Sequence, residues 1–165
     1  MHTTELMVKT FDREFFGPSF NGQALLPLIN SLRFSQVMDV NTWEGYRIVD
    51  VILHVAYWKF TLLDFLGETS KCDPPPFALD NYLKASDGFS ETDWAYLVAW
   101  LQAIHSLASK SILEIPPEQL SSDMPGLECT LEEFLTWLIT HDTYHCAMIR
   151  NMGVNGLHES HKPGA

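Results

Sequence analysis

The segment THDTYHCAMIRNMG, residues 140–153, places two imidazoles four residues apart and a thiol directly behind the second. Four residues advance a helix by about 400°, so His141 and His145 leave one face about a turn apart, within reach of a single ion. The same spacing underlies the paired histidines of HExxH zinc sites, with Asp142 standing here in place of that motif's glutamate. HxxxH alone is weak evidence for a metal, and by itself it more often marks a pair of core histidines hydrogen-bonded to neighbours or facing water. Both residues fall on an apolar stripe of Leu131, Phe134 or Leu135, Leu138, His141, His145, Met148 and Met152, so either reading turns them toward a core. Cys146 lies about 100° around the helix from His145, poorly aimed as a further ligand, and reads as a small buried apolar residue.

A third imidazole, His54, follows Arg47 and Val51 on a face that borders the stripe Ile48, Ile52, Val55 and Leu62, and it too looks inward. Helix bundles build metal sites from inward side chains on facing helices. Three neutral imidazoles would leave coordination positions open, as in catalytic rather than closed structural sites. Imidazole donors favour zinc or nickel. An ion so held supports two chemistries: acidifying water for hydrolysis, or presenting a thiolate for attack on an electrophile. Passive metal binding and a purely structural bundle are the rivals. His105, among Leu101, Ile104, Leu107 and Ala108, reads as a satisfied core histidine, and His2, His158 and His161 sit near the termini. Asp142 is placed facing solvent or capping a neighbouring helix, and no residue is assigned as proton shuttle.

The elements that must position these groups are helical, because four segments carry helix-like periodicity and none shows the sustained alternation of a half-buried strand. The first is expected over about residues 20–32, with Pro27 either opening or kinking it. A second starts near NTWE, capped by Asn41 or Thr42, and stops at Gly67. CDPPPF then forbids helix and implies a long crossover. Ser90 caps a third helix that ends before Pro116–Pro117, and Thr130 with Glu133 forms a capping box for a fourth that starts at Leu131 and closes at Gly153. The expectation is an all-α, four-helix bundle in one domain, residues 1–153, followed by a polar, fraying tail over 154–165.

A chain of 165 residues with 46% apolar composition can bury a core without disulfide or structural metal, so a metal here would serve function. Cys72, Cys129 and Cys146 cannot all pair and form no CxxC clip, which suits a reducing cytoplasm. Neither a signal-peptide run nor a membrane-length apolar segment is evident. A net charge of −11 opposes phosphate backbones, so nucleic acid is not an expected partner.

The mid-helix histidine in HVAYW, the Pro-rich crossover and the final HDTYHCAMI together resemble the DinB-like/YfiT-like metal-dependent hydrolase family, from about GPSF at 17–20 to Gly153. That resemblance implies a four-helix bundle, often a homodimer, with a three-histidine site. By position its metal ligands would be His54, His141 and His145. Members often carry glutamine where this chain has Met148. Characterised branches include transferases and isomerases that use bacillithiol, mycothiol or glutathione, so the resemblance tilts the expected chemistry toward transfer of a small-molecule thiol rather than hydrolysis.

Overall fold

Apolar side chains at helical spacing generate four main helices, seen in a computed structural model that describes residues 3–77, 79–81, 84–154 and 157. They are α1 (Thr3–Phe16), α4 (Ile48–Phe65), α5 (Glu91–Leu113) and α6 (Leu131–Asn151), with the short helices α2 (Leu25–Asn30) and α3 (Phe34–Val37) between the first two. Among the described residues no strand forms, only an isolated antiparallel bridge between Asp123 and Thr130. Helix α1 packs on α5 and α6, and α4 packs on the same two, closing a helical bundle around one continuous core. None of the described helices is long and apolar enough to cross a membrane.

The bundle's first helix is α1, not the segment expected at residues 20–32. Met7, Val8, Phe11 and Phe15 form its buried stripe. Within residues 20–32 only Leu25–Asn30 is helical, and Pro27 occupies its first turn, where a missing amide hydrogen breaks no helical bond. Helix α2 packs across α1 and α6 rather than forming a wall. The second expected boundary also moves. Asn41 and Thr42 cap nothing; the Thr42 hydroxyl donates to the Tyr46 carbonyl at 2.7 Å in a turn through Gly45, whose φ is +72°. Helix α4 starts at Ile48, where Asp50 accepts the Arg47 backbone N–H at 3.0 Å.

The remaining helix ends lie where the caps put them. Ser90 Oγ accepts from the Asp93 amide at 3.2 Å, and Thr130 Oγ1 from the Glu133 amide at 3.3 Å, each answered by the acid accepting the cap residue's own N–H at 2.8 Å. Gly67, at φ +73°, ends α4 with Glu68 N–H donating to the Leu63 carbonyl at 2.8 Å. Gly153 closes α6 at φ +80°, and a Cβ there would lie 2.7 Å from the Trp43 ring, so glycine is required on both counts. The Trp43 amide in turn donates to the Met152 carbonyl at 3.0 Å, fastening the segment before α4 to the end of α6.

The crossover from α4 to α5 is tied down rather than free-running. Trp100 Nε1 donates to the Asp73 carbonyl at 3.0 Å. Further on, the Ala85 amide donates to Asp50 Oδ1 at 2.8 Å, and the Arg47 guanidinium, paired with Asp50 at 3.0 Å, also donates to the Ala85 carbonyl. Of the tail expected over 154–165 only Val154 and Leu157 are described; His158 and His161 fall outside the described residues, as does His2.

Candidate metal centre

Packing of α4 against α6 brings the three histidines together. His54 reaches in from the middle of α4, and His141 and His145 from successive turns of α6. The His141 Nε2 atom lies 3.1 Å from His54 Nε2 and 2.9 Å from His145 Nε2. One ring nitrogen from each of the three falls within 4.8 Å of the others. His141 and His145 are buried, and His54 is partly exposed toward a cleft.

Proton bookkeeping at this cluster leaves room for a cation. His54 Nδ1 sits 2.9 Å from the Asn81 carbonyl, an acceptor only, which assigns the proton to Nδ1 and turns the Nε2 lone pair toward the other rings. His141 Nε2 then faces two nitrogens at hydrogen-bond distance with at most one proton of its own. If it donates, the single proton is divided between two acceptors. If it accepts from His145, its lone pair meets that of His54. A divalent ion satisfies all three lone pairs at once, and bond lengths of about 2.0–2.1 Å in tetrahedral geometry would set the nitrogens about 3.3 Å apart, close to the 3.1 and 2.9 Å of the two His141 contacts. His54 also has the partner on its second nitrogen that orients metal-bound imidazoles. The Nδ1 atoms of His141 and His145 have no hydrogen-bond partner among the described residues.

Electrostatics favour the neutral, metal-competent rings. Burial foremost, then the neighbouring His145, His54 and Lys59, pushes His141 down to about 2. His145 is pushed down to about 3 by burial and by His54. Behind the cluster, one residue past His141, Asp142 pairs with Lys59 of α4 at 2.7 Å, both side chains fully excluded from solvent. Burial raises the carboxyl's pKa and lowers the ammonium's, while their mutual attraction opposes both shifts. The Lys59 ammonium also lies 4.2 Å from the centre of the Phe11 ring on α1. Asp142 therefore neither faces solvent nor caps a helix, as its sequence position had suggested.

In front of the triad a cleft of about 570 Å³ opens between α4, α6 and the crossover. Its walls include Tyr46, Trp137, Tyr144 and Met148, with Glu44 among the polar groups. The Trp137 ring centre stands 4.5 Å from that of His141, and Tyr144 stands 4.9 Å from His145. Asp50 also borders the cleft but is committed to Arg47 and Ala85.

The other sequence candidates lie elsewhere. His105 is sandwiched between Phe11 and Phe15 at 4.1 and 3.9 Å and bonded to Asp12 at 3.1 Å. Burial, then Lys59, pushes it down to about 3. Cys146 is buried, donates to the Gln23 carbonyl at 2.8 Å and is pushed up to about 11 by burial, which makes it an inert thiol. All three cysteines are free. Sequence reading missed Lys59, although Val55, Lys59 and Leu62 follow helical spacing along a buried face. The Asn81 carbonyl, a backbone group, carries no sequence signal at all.

Three buried neutral histidines have a cost in acid. In the unfolded chain each would take up a proton near 6.5, whereas His105, His141 and His145 refuse one down to about 3, about 2 and about 3. Below pH 6.5 the unfolded state thus binds more protons, and metal-free protein should lose stability as the pH falls from about 6.5 toward 3, by up to about 1.4 kcal/mol per pH unit for each histidine. Denaturant melts in EDTA measure this, and a midpoint that does not move between pH 7 and pH 5 would contradict it. Compared with family models, with curated proteins and with solved structures, the chain matches none, and the reading of this site rests on its own residues.

Proposed function

We propose that His54, His141 and His145 hold one divalent ion, zinc or nickel, through their Nε2 atoms, and that the protein is a DinB-like enzyme transferring a small-molecule thiol to an electrophile. The observation that carries the reading is the convergence of three Nε2 atoms whose contacts protons alone leave unsatisfied. A bound ion would lower the pKa of a thiol or water entering the cleft.

The chain's own groups divide the remaining work. The Asn81 carbonyl fixes the tautomer of His54, and burial keeps His141 and His145 neutral. Trp137, Tyr144, Tyr46 and Met148 offer an apolar wall against which an organic electrophile can lie and from which water is displaced. Hydrolysis at an HExxH-type centre needs a carboxylate base beside the ion; Asp142 is locked to Lys59 and Asp50 to Arg47, which leaves Glu44 on the cleft wall for that role. A reagent that arrives with its own nucleophilic sulfur has less need of such a base, which favours thiol transfer: a carbon–sulfur bond forms as the electrophile's leaving group departs, and the thiol proton passes to solvent. Cys146, buried and bonded to Gln23, is not the nucleophile.

Protein purified without a histidine tag should contain about one divalent ion per chain, and His145→Ala should lose it while keeping its helicity, because the core folds without metal. Elemental analysis and circular dichroism read both; full occupancy in the variant would refute the ligand set. Metal-loaded protein should accelerate attack of thiols on electrophiles in a panel assay, with activity lost in His54→Ala and His145→Ala and kept in Cys146→Ser. Loss in Cys146→Ser alone would move the nucleophile onto the protein, and ester or amide turnover without thiol would replace transfer by hydrolysis. The proposed homodimer would cover part of the exposed apolar surface outside the cleft, which includes Phe20, Val40 and Trp43. Light scattering at micromolar concentration should give twice the chain mass, and a monomer would end that proposal.

A further inference from the structure

We infer that the Lys59–Asp142 ion pair is a positioning device for the histidine triad, setting the register of α4 against α6 at which His54 meets His141 and His145. The inference rests on the metal reading above. The pair joins the two helices that carry the triad, its members lie one residue beyond His141 and five beyond His54, and its 2.7 Å contact is fully buried. Among the described residues Asp142 Oδ1 has no hydrogen-bond partner, so the carboxylate's attachment there runs through Oδ2 to the Lys59 ammonium. That ammonium is held in turn over Phe11 at 4.2 Å and near Phe15 at 5.1 Å, which ties the contact to α1.

Apolar packing along α4 and α6 is non-directional and tolerates small slides with repacking. A slide that parts Lys59 from Asp142 strands a charge, or an unbonded polar group, where no water reaches. The ion pair thus penalises registers that the apolar contacts would accept. Well-packed apolar residues would serve stability at least as well as a buried ion pair does, so its placement beside the ligands points to specificity of arrangement rather than to added stability. On this account Lys59 and Asp142 touch neither ion nor substrate and act through the helices that bear the ligands.

The test uses the full chain and cobalt(II), whose visible absorption reports donor geometry. Lys59→Met/Asp142→Leu removes both charges and keeps the interior filled, so its thermal midpoint in EDTA should stay near that of wild type. Its Co²⁺ affinity should fall about 10- to 100-fold with an altered spectrum, the loss usual for changes just outside a ligand shell. Ile104→Val, a core truncation on α5, controls for packing defects and should leave both unchanged. Wild-type affinity and spectrum in the double variant overturn the inference. If that variant does not fold, Asp142→Glu takes its place, since it keeps the pair and displaces it by one methylene; unchanged cobalt binding there overturns the inference equally. Absence of cobalt binding by the wild type would sink the metal reading only. Crystal structures of the variant that folds then decide: a His54 Nε2 to His141 Nε2 separation still near 3.1 Å overturns the positioning role, and an opening of about 1 Å or more upholds it.

Discussion

Close packing of α4 on α6 is the contact on which the rest of this structure depends, because it must do two incompatible things. It buries apolar stripes from both helices, and in the same interface it accommodates three imidazoles, an ammonium and a carboxylate. Water would solvate those polar groups far better than hydrocarbon does, so each must be neutral or paired to remain there. The structure separates the two solutions in space. On the core side one positive and one negative group neutralise each other at 2.7 Å, and on the cleft side His141 and His145 are held neutral by burial and by the neighbouring imidazoles. What looks like a polar flaw in a helical core is therefore an ordered division between a charged anchor and a set of uncharged donors.

The crossover completes that arrangement from outside the helices. Its backbone supplies the acceptor for His54 Nδ1 at Asn81, and its Ala85 peptide is gripped at both ends by Asp50 and Arg47 at the start of α4. Backbone donors and acceptors in an irregular segment need partners when water is excluded, and here the partners are side chains of the helix that carries His54. One set of bonds thus satisfies the loop and fixes the ring. Gly153 and Trp43 make a comparable joint at the far end of α6, where the Trp43 amide reaches the Met152 carbonyl.

Much of this was legible in the sequence where local chemistry dictates structure. Ser90–Asp93 and Thr130–Glu133 are self-contained capping signals, so the starts of α5 and α6 could be read to the residue. The inward set of His54, His141 and His145 followed from periodicity, which long helices express clearly. Helix α1 carries an equally regular stripe of Met7, Val8, Phe11 and Phe15, but Glu5, Lys9, Asp12, Arg13 and Glu14 are interleaved with it, which masks the periodicity in so short a segment. Residues 20–32 misled for the opposite reason: their leucines recur at helical spacing, yet they cap a bundle whose fourth wall is already supplied by α1. Asn41 and Thr42 show how weak a lone cap residue is when Thr42 can bond a nearby carbonyl in a turn instead. The Lys59–Asp142 pair was not legible, because it joins positions 83 apart in the chain and only the packing of α4 on α6 reveals it.

Proton competition at such a centre differs from that at exposed imidazoles. A solvated histidine takes up a proton near 6.5 and releases metal over the same range. His141 and His145 exclude the protonated form down to about 2 and about 3 while the fold is intact. Loss of binding in weak acid would therefore proceed by opening the α4–α6 interface rather than by titrating those two ligands in place. The burial that protects the imidazoles also withdraws Asp142, the carboxylate nearest to them in sequence, into its ion pair. A cation at these donors would therefore meet little competition from protons on His141 and His145 while the fold is intact, and proton transfer at the cleft would fall to solvent, to Glu44 on its wall or to an incoming reagent.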